Sequence, residues 1–307
     1  MGTVYDVLAQ VNGVIKGKED VVTKVMEAIL SGGHILMEDI PGVGKTTLST
    51  AFAKALSMDY KRVQFTPDVL PSDIVGFSMY NSAKGQFEYV KGPVFCNFFL
   101  ADEINRTSPK TQSALLEVME EGSVTVDGIT RQLDDIFTVI ATQNPSGSAG
   151  TNMLPESQLD RFMIRLSMGY PGRNDSIDIL KGNISARNVN ITPAMDLDEL
   201  KTARKDCEDI FVHDSIYEYI TDLCEESRNN PLFSLGVSPR GGIALLKMSK
   251  ANAYMEGVDY VRSADVENVI ASVFSHRIKL SGRARSEGIS CEQAVKELLK
   301  SVTPPRQ

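Results

Sequence analysis

The stretch His34-Ile-Leu-Met-Glu-Asp-Ile-Pro-Gly-Val-Gly-Lys-Thr-Thr-Leu-Ser49 decides how this chain is read. Its apolar run, Ile35 to Met37, predicts a buried strand; the turn Pro41-Gly42-Val43-Gly44 follows, and then a helix over residues 46–56. Strand, glycine loop and helix in that order form a phosphate-binding layout. Gly42 and Gly44 take positive φ without a Cβ clash, so the backbone can turn its N–H groups inward. The helix starts with unpaired N–H groups and a positive dipole end, both favourable to a polyphosphate. Lys45 is long enough to reach β- and γ-phosphates, and the Thr46 hydroxyl is a ligand for Mg²⁺. The strict pattern G-x-x-x-x-G-K-[ST] wants a glycine where Asp39 stands. By itself the loop therefore leaves open an ordinary glycine-rich turn before a helix, and the rest of the chain has to decide.

Two further strands bear on that choice. Asn97-Phe-Phe-Leu-Ala-Asp-Glu103 is an apolar strand ending in adjacent carboxylates. Asp102 is placed to hold Mg²⁺, directly or through water, and Glu103 to orient and polarise an attacking water. A strand whose acidic end simply meets solvent is the plainer alternative, and the glycine loop upstream counts against it. Residues 136–142 form another apolar strand, ending in Gln143-Asn144-Pro145. That puts polar amides at the carboxyl edge that carries Asp102, where ligands of open α/β sheets bind. Without the carboxylates, Asn144 would read as a simple strand-end cap.

Helical spacing marks residues 3–11 and 20–30, the latter stopped by Gly32-Gly33. A short strand is expected over residues 62–65. Residues 77–80 and 86–90 alternate as a β-hairpin, and residues 122–133 as a second one about Asp127-Gly128. Between them a helix over 108–119 has Pro109 at its first position. A short helix over 156–161 and a strand over 162–166 complete the strand-bearing part. After Pro171-Gly172 strand signals largely vanish. Helices are expected over 175–182, 198–210, 214–228, 239–256, 264–279 and 291–301, with a domain boundary near Tyr170.

The 307 residues suffice for two ordinary domains, and 42% hydrophobic with 23% charged residues is a globular composition. No apolar run is long enough to span a bilayer. The first residues lack the basic-then-apolar order of a secretory signal, and Asp6 stands where a myristoylation motif needs Ser or Thr, so a cytoplasmic location is expected. The net charge of −8 argues against a dedicated nucleic-acid binder, though not against a narrow basic pore. Cys96, Cys207, Cys224 and Cys291 lack metal-ligand spacing and read as reduced, mostly buried thiols. His34, His213 and His276 are scattered, so no zinc site is expected.

Taken together, the chain resembles the AAA+ ATPases, and in detail the MoxR family of their helix-2-insert group. The resemblance rests on Glu38-Asp-Ile-Pro-Gly-Val-Gly-Lys-Thr-Thr47, Leu100-Ala-Asp-Glu-Ile-Asn-Arg106 with Pro109-Lys110, Glu117-Val-Met-Glu-Glu121, Ala141-Thr-Gln-Asn-Pro145, Leu154-Pro-Glu-Ser-Gln-Leu-Asp-Arg-Phe162 and Val237-Ser-Pro-Arg-Gly241. It implies an α/β core over 1–170, a parallel P-loop sheet with β-hairpin inserts, followed by a small all-helical lid over 171–307. Lys45 and Thr46 are then the Walker A pair, within a loop of Pro41, Gly42, Val43, Gly44 and Thr47. Asp102 and Glu103 are the Walker B pair, with Thr46 and Asp102 toward Mg²⁺. Val14, Ile15 and Gly17 match the segment that lies against adenine. Asn144 matches sensor 1 and Arg240 sensor 2. Arg161 matches the arginine finger that enters a neighbouring subunit's site, with Arg165 and Arg106 as alternatives. Arg240 follows the helix-start signal Ser238-Pro239, where a cation opposes the dipole unless an anion compensates.

The resemblance further implies ATP with Mg²⁺, a homo-oligomeric ring, in particular a hexamer, and a chaperone-like remodelling or metalloenzyme-maturation role. It also implies a partner carrying a von Willebrand factor A domain and a protein client. In relatives the two hairpins face the ring pore or the substrate. Here the second tip, Asp127-Gly-Ile-Thr130, has Arg131 as its only base, which suits a protein client better than a phosphate backbone. A nucleotide-operated switch or scaffold with slow hydrolysis would have nearly the same sequence, and a DNA-remodelling motor is the remaining alternative.

Overall fold

The structure is a computed structural model and describes residues 3–39, 42–144, 152–181 and 191–305. Thr3 starts α1 (Val4–Val14) with a reciprocal cap: its hydroxyl accepts the Asp6 N–H, and the Asp6 carboxylate accepts the Thr3 N–H. Next come α2 (Glu19–Leu30), β1 (Ile35–Glu38), α3 (Lys45–Ala55), β2 (Tyr60–Gln64) and α4 (Pro71–Val75). The antiparallel ribbon β3 (Gly76–Asn81) and β4 (Gln86–Lys91) follows, then β5 (Phe98–Asp102) and a 3-10 turn, Ile104–Arg106. In α5 (Pro109–Glu121) the Ser108 hydroxyl caps the Thr111 N–H and Pro109 fills a first-turn position whose N–H would be unpaired anyway. The second hairpin, β6 (Ser123–Val126) and β7 (Ile129–Gln132), turns at Asp127 and Gly128, both at positive φ, as a two-residue hairpin turn requires. The chain continues through β8 (Thr138–Gln143), α6 (Glu156–Leu159), β9 (Ile164–Leu166) and α7 (Arg173–Leu180). Last come α8 (Leu197–Glu208), α9 (Asp214–Asn229), β10 (Phe233–Leu235), α10 (Pro239–Met255), α11 (Ser263–Phe274), β11 (Lys279–Leu280), α12 (Gly282–Ser286) and α13 (Cys291–Ser301).

The central sheet has the order β2-β5-β8-β1-β9. The pairings of β2 with β5, β5 with β8 and β8 with β1 are parallel. Leu36, Met37, Phe98, Phe99, Leu100, Val139 and Ile140 are fully buried. Strands covered on both faces read as continuous apolar runs, which is why these segments carry no alternation in the sequence. The register sets Leu100 beside Ile140 and Ile35 beside Ile140. The three inner strands therefore end nearly level, and their carboxyl edge is where the loops after β1, β5 and β8 emerge.

Several expectations shift. The strand expected at 62–65 starts at Tyr60, and the helix expected over 264–279 stops at Phe274. There Arg277 and Ile278 N–H both turn back to the Phe274 carbonyl, and Lys279 enters a strand that pairs with β10. The lid expected to be all-helical thus carries a two-stranded ribbon, whose strands are too short to show period-two alternation. The last residue of the helix expected over 175–182 lies outside the described residues. The first hairpin is pinched at its base by two glycines. A Cβ on Gly76 would meet the Val90 carbonyl oxygen, and one on Gly92 the Ile74 carbonyl oxygen.

The chain forms two compact units, each discontinuous in sequence. One comprises Met1–Val22, His34–Leu154 and Ser167–Glu199; the other comprises Thr23–Gly33, Pro155–Leu166 and Leu200–Gln307. The break in composition at Tyr170 is therefore not where the packing divides. Within the second unit, Glu27 is fully buried between Lys24 Nζ at 3.1 Å and Asn252 Nδ2 at 2.7 Å. Arg277 is another buried charge of that unit. Its Nε donates to Asp160 Oδ1 at 2.8 Å, and its Nη atoms donate to the carbonyls of Asp160, Phe162, Met163 and Val273. Asp160 Oδ2 accepts the Ser238 hydroxyl at 2.8 Å. Gly241 leaves the space this needs, because a Cβ there would press on Val237 Cγ1 and come within 2.8 Å of Arg277 Cδ. Burial, opposed by Asp160, pulls the Arg277 guanidinium down to about 10.

Two outcomes follow. Arg277→Met leaves Asp160 without its cationic partner and four carbonyls short of a donor; it should lower unfolding free energy by about 3–5 kcal/mol, measured by denaturant titration. Burial, and then the adjacent Arg277 charge, hold the His276 imidazole well below its ordinary value. Below about pH 6.5 the unfolded chain takes up a proton that the folded chain refuses, so stability is full above that pH and falls beneath it. One such group limits the slope to about 1.4 kcal/mol per pH unit. His276→Gln should flatten the stability profile between pH 7.5 and pH 5.5.

Candidate active site

The site is built on the carboxyl edge of the sheet in the first unit. After β1 the chain turns through Gly42 (φ +86) and Gly44 (φ +97) into α3. Gly44 occupies the cap position and supplies no side-chain acceptor to the first turn, so the leading N–H groups of α3 face the loop. Pro41 lies outside the described residues. The buried Lys45 Nζ donates to the Asp39 carbonyl at 2.9 Å. Burial pulls Lys45 below the ordinary lysine value, while the charges of Asp39, Asp102 and Glu103 push it back up. A desolvated ammonium among these carboxylates is poised to gain from a polyphosphate.

Asp39, at the position where the strict motif has glycine, is itself buried and fully engaged. Its carboxylate accepts the Ser167 hydroxyl at 2.8 Å, the Met168 N–H at 2.6 Å and the Gly169 N–H at 3.0 Å. The departure from the motif is thus a staple between the loop entrance and residues 167–169.

Opposite the loop, Asp102 closes β5. Its Oδ1 accepts the Thr142 hydroxyl at 2.7 Å and its Oδ2 accepts Arg62 Nη2 at 2.7 Å. Glu103 leaves the strand in the left-handed region (φ 57, ψ 48), a conformation costing a non-glycine residue about 1–2 kcal/mol. Its N–H is received by Thr142 Oγ1 at 2.8 Å, and its carboxylate is held by Arg106 Nη1 at 3.0 Å and Asn144 Nδ2 at 3.4 Å. The buried Asn105 amide bonds both backbone groups of Asn144, donating to its carbonyl at 3.1 Å and accepting its N–H at 3.4 Å. Asn144 is thereby fixed one residue beyond β8.

These groups enclose a cavity of about 360 Å³ lined by Gly42, Gly44, Lys45, Thr46, Thr47, Arg62, Gln64, Asp102, Glu103 and Asn144. Eight of the residues expected from the sequence meet there. Val43 is half-buried and does not line it. Val14 ends α1, Ile15 is buried behind it and Gly17 is exposed at φ +66; none of the three lines the cavity. Arg161 and Arg240 belong to the second unit, the former after α6 and the latter exposed on the first turn of α10. Of the alternatives to Arg161, Arg165 donates to the Ser275 carbonyl at 2.8 Å and Arg106 is paired with Glu103. Among the described residues no cluster of three or more His, Cys, Asp and Glu could by itself cage a metal. The donors present, a threonine hydroxyl and a carboxylate at the mouth of a phosphate loop, fit Mg²⁺, which completes its shell from substrate phosphate and water.

Sequence reading missed Arg62, Gln64, Asn105 and Thr142. Arg62 and Gln64 stand two apart on a strand and so share one face, a signal available but unused. Thr142 and Asn105 sit inside quoted motifs, and their work depends on cross-strand register. The other polar candidates serve the fold. His34 takes the Val139 N–H at Nδ1 and faces the Met119 carbonyl at Nε2, and His213 caps α9. All four cysteines are free thiols; burial pushes Cys96 and Cys207 up to about 12 and Cys224 up to about 11.

A glycine loop feeding a helix N-terminus, facing an acidic strand end on a parallel α/β sheet, defines a P-loop nucleoside triphosphatase. Residues 34–164 match the ATPase family associated with various cellular activities (AAA), and residues 225–298 match the AAA lid domain. YeaC, an uncharacterized protein of Bacillus subtilis (strain 168), is 47% identical over 97% of this chain and 93% of its own length. Chaperone MoxR1 of Mycobacterium tuberculosis is 34% identical over 99% of this chain and 83% of its own. A crystal structure of a candidate ATPase from Cytophaga hutchinsonii superposes with a TM-score of 0.90 at 36% identity, covering 99% of this chain and 95% of that one. The chain belongs to the MoxR family of AAA+ ATPases. It binds nucleotide and hydrolyses ATP.

Asp39→Gly, which restores the strict loop motif, should not tighten ATP binding. It strips the acceptor from two N–H groups and a hydroxyl and should lower stability by about 2–3 kcal/mol, read by thermal and denaturant melts alongside nucleotide titration.

Proposed function

We propose that this protein is a Mg²⁺-dependent ring ATPase that remodels protein complexes. The observation that carries the reading is the convergence of Lys45, Thr46, Asp102, Glu103 and Asn144 on one cavity at the mouth of the Gly42–Gly44 loop. In this reading the loop N–H groups and Lys45 bind the β- and γ-phosphates. Thr46 and Asp102 hold Mg²⁺, which when bound neutralises charge on the phosphate oxygens. Glu103 polarises the attacking water, and Asn144, pinned by Asn105, orients that water or the γ-phosphate. As the water oxygen bonds to phosphorus, the bond to the β-phosphate oxygen breaks, ADP leaves and the water's proton passes to Glu103. Glu103 has to loosen its pair with Arg106 to accept it. Val14, Ile15 and Gly17 form the adenine side, Arg240 the second phosphate sensor, and Arg161 acts in a neighbouring protomer's site. The assignment of an arginine in trans calls for a neighbouring protomer, and a hexameric ring is the form proposed.

A protein client is favoured by the first hairpin, which exposes Phe77, Met79, Tyr80, Phe87 and Val90, an apolar surface of the kind that marks interaction sites. The base of the second hairpin is occupied: Arg131 stacks 3.8 Å over the Tyr89 ring and donates to the Val126 and Ile129 carbonyls. That leaves its tip poorly equipped for a phosphate backbone. The chaperone naming of the Mycobacterium tuberculosis relative agrees with this role. A partner with a von Willebrand factor A domain, a metalloenzyme among the clients and a cytoplasmic location belong to the same proposal. No helix among the described residues is long and apolar enough to cross a membrane. One observation favours a second reading, a nucleotide-operated switch with slow turnover: both carboxylates are ion-paired, Asp102 with Arg62 and Glu103 with Arg106.

The test is ATP turnover per protomer against protein concentration in Mg²⁺. The expected curve rises and then plateaus, and Arg161→Ala removes the rise. Glu103→Gln should keep ATP binding and lose turnover by about 10²- to 10⁴-fold. Lys45→Ala should lose binding itself. A substantial flat rate from protein shown to be monomeric overturns the trans arginine, and a rate near zero that persists in the assembled protein supports the switch.

A further inference from the structure

We propose that Thr142 is a positioning residue for hydrolysis, using one hydroxyl to tie the metal-side carboxylate of Asp102 to the backbone N–H of the water-side residue Glu103. This rests on the roles assigned above to Asp102 and Glu103. Thr142 lies on β8, with Met37 of β1 as its cross-strand partner, and it is fully buried. The pairing of Ala101 with Ala141 brings it level with Asp102. Its hydroxyl hydrogen goes to Asp102 Oδ1 at 2.7 Å, since an ionised carboxylate only accepts. A lone pair of the same oxygen receives the Glu103 N–H at 2.8 Å.

Each bond does something a packing threonine would not. Glu103 has left the strand for the left-handed region, so its N–H has no place in the parallel ladder; Thr142 Oγ1 takes the place of a ladder carbonyl and holds the strained turn. That turn aims the Glu103 carboxylate toward Asn144 and Arg106. On the other side, committing Oδ1 fixes the Asp102 carboxylate plane and leaves Oδ2 as the exchangeable oxygen, now met by Arg62. Because both bonds end on one atom, a shift of Asp102 is passed to the backbone of Glu103. Residues that hold a metal-binding carboxylate in this way usually matter about 10- to 100-fold for affinity or activity.

The test compares Thr142→Val, nearly the same shape without the hydroxyl, with Thr142→Ser, which keeps it. Binding of a fluorescent ATP analogue is measured in EDTA and in Mg²⁺, together with turnover, and Asp102→Asn and Glu103→Gln are controls. The valine variant should match the parent in EDTA. It should lose about 10- to 100-fold in the affinity gained from Mg²⁺ or in kcat. The serine variant should recover both to within about threefold. The role is overturned if valine keeps both quantities within about twofold, if serine is as impaired as valine, or if affinity in EDTA falls as far as affinity in Mg²⁺. Should the valine variant fail to fold, Thr142→Ala against Thr142→Ser makes the same comparison. Unimpaired controls would overturn the carboxylate assignments and this role with them; impaired controls beside an unimpaired valine variant would overturn this role alone.

Discussion

The parallel pairing of β1, β8 and β5 is the constraint on which the site depends. Because these strands are buried on both faces and paired in fixed register, they end nearly level, and three separate loops emerge side by side. The phosphate loop, the two carboxylates and Asn144 are far apart in sequence. None of them would reach the others if one strand slipped by a residue, since a slip also turns every side chain to the opposite face. The apolar runs that hold this register are therefore as much a part of the site as Lys45.

Polar groups buried near the sheet edge finish what the register begins. Asn105 takes both backbone groups of Asn144, Thr142 joins Asp102 to Glu103, and Asp39 gathers three donors from residues 167–169. In the second unit Asp160 has the same kind of role, clamped by Arg277 and Ser238 beside the arginine proposed as the finger. Each is a charged or hydrogen-bonding group that would be costly to bury alone and is satisfied almost completely. They favour rigidity, which suits groups that must meet developing charge at fixed positions.

The hairpins follow different physics. They are two-stranded ribbons, marginal by themselves, and each is anchored at its base. Gly76 and Gly92 permit the close approach at the root of the first, and Tyr89 joins the two by donating to the Val75 carbonyl and lying beneath Arg131. That anchoring lets large apolar side chains stand in solvent farther out on the first ribbon without being needed for its own stability.

What the sequence determined by itself was the order and type of most elements and eight of the residues that meet at the cavity. Apolar runs, caps such as Ser108-Pro109, the Asp127-Gly128 turn and the glycine loop are local signals, because each acts within a few residues of itself. Lys45 at a helix start and Asp102, Glu103 and Asn144 at strand ends were legible as a set, because each alone has a plainer reading and together they support one another. Only the tertiary structure decided why Asp39 stands in place of a glycine, that Arg62 reaches Asp102, that Thr142 serves two carboxylate-bearing residues, and that the helix expected to run to Lys279 stops at Phe274 and yields to a strand. In each case the partner comes from a distant segment, and its position depends on strand register and packing, which no local pattern encodes.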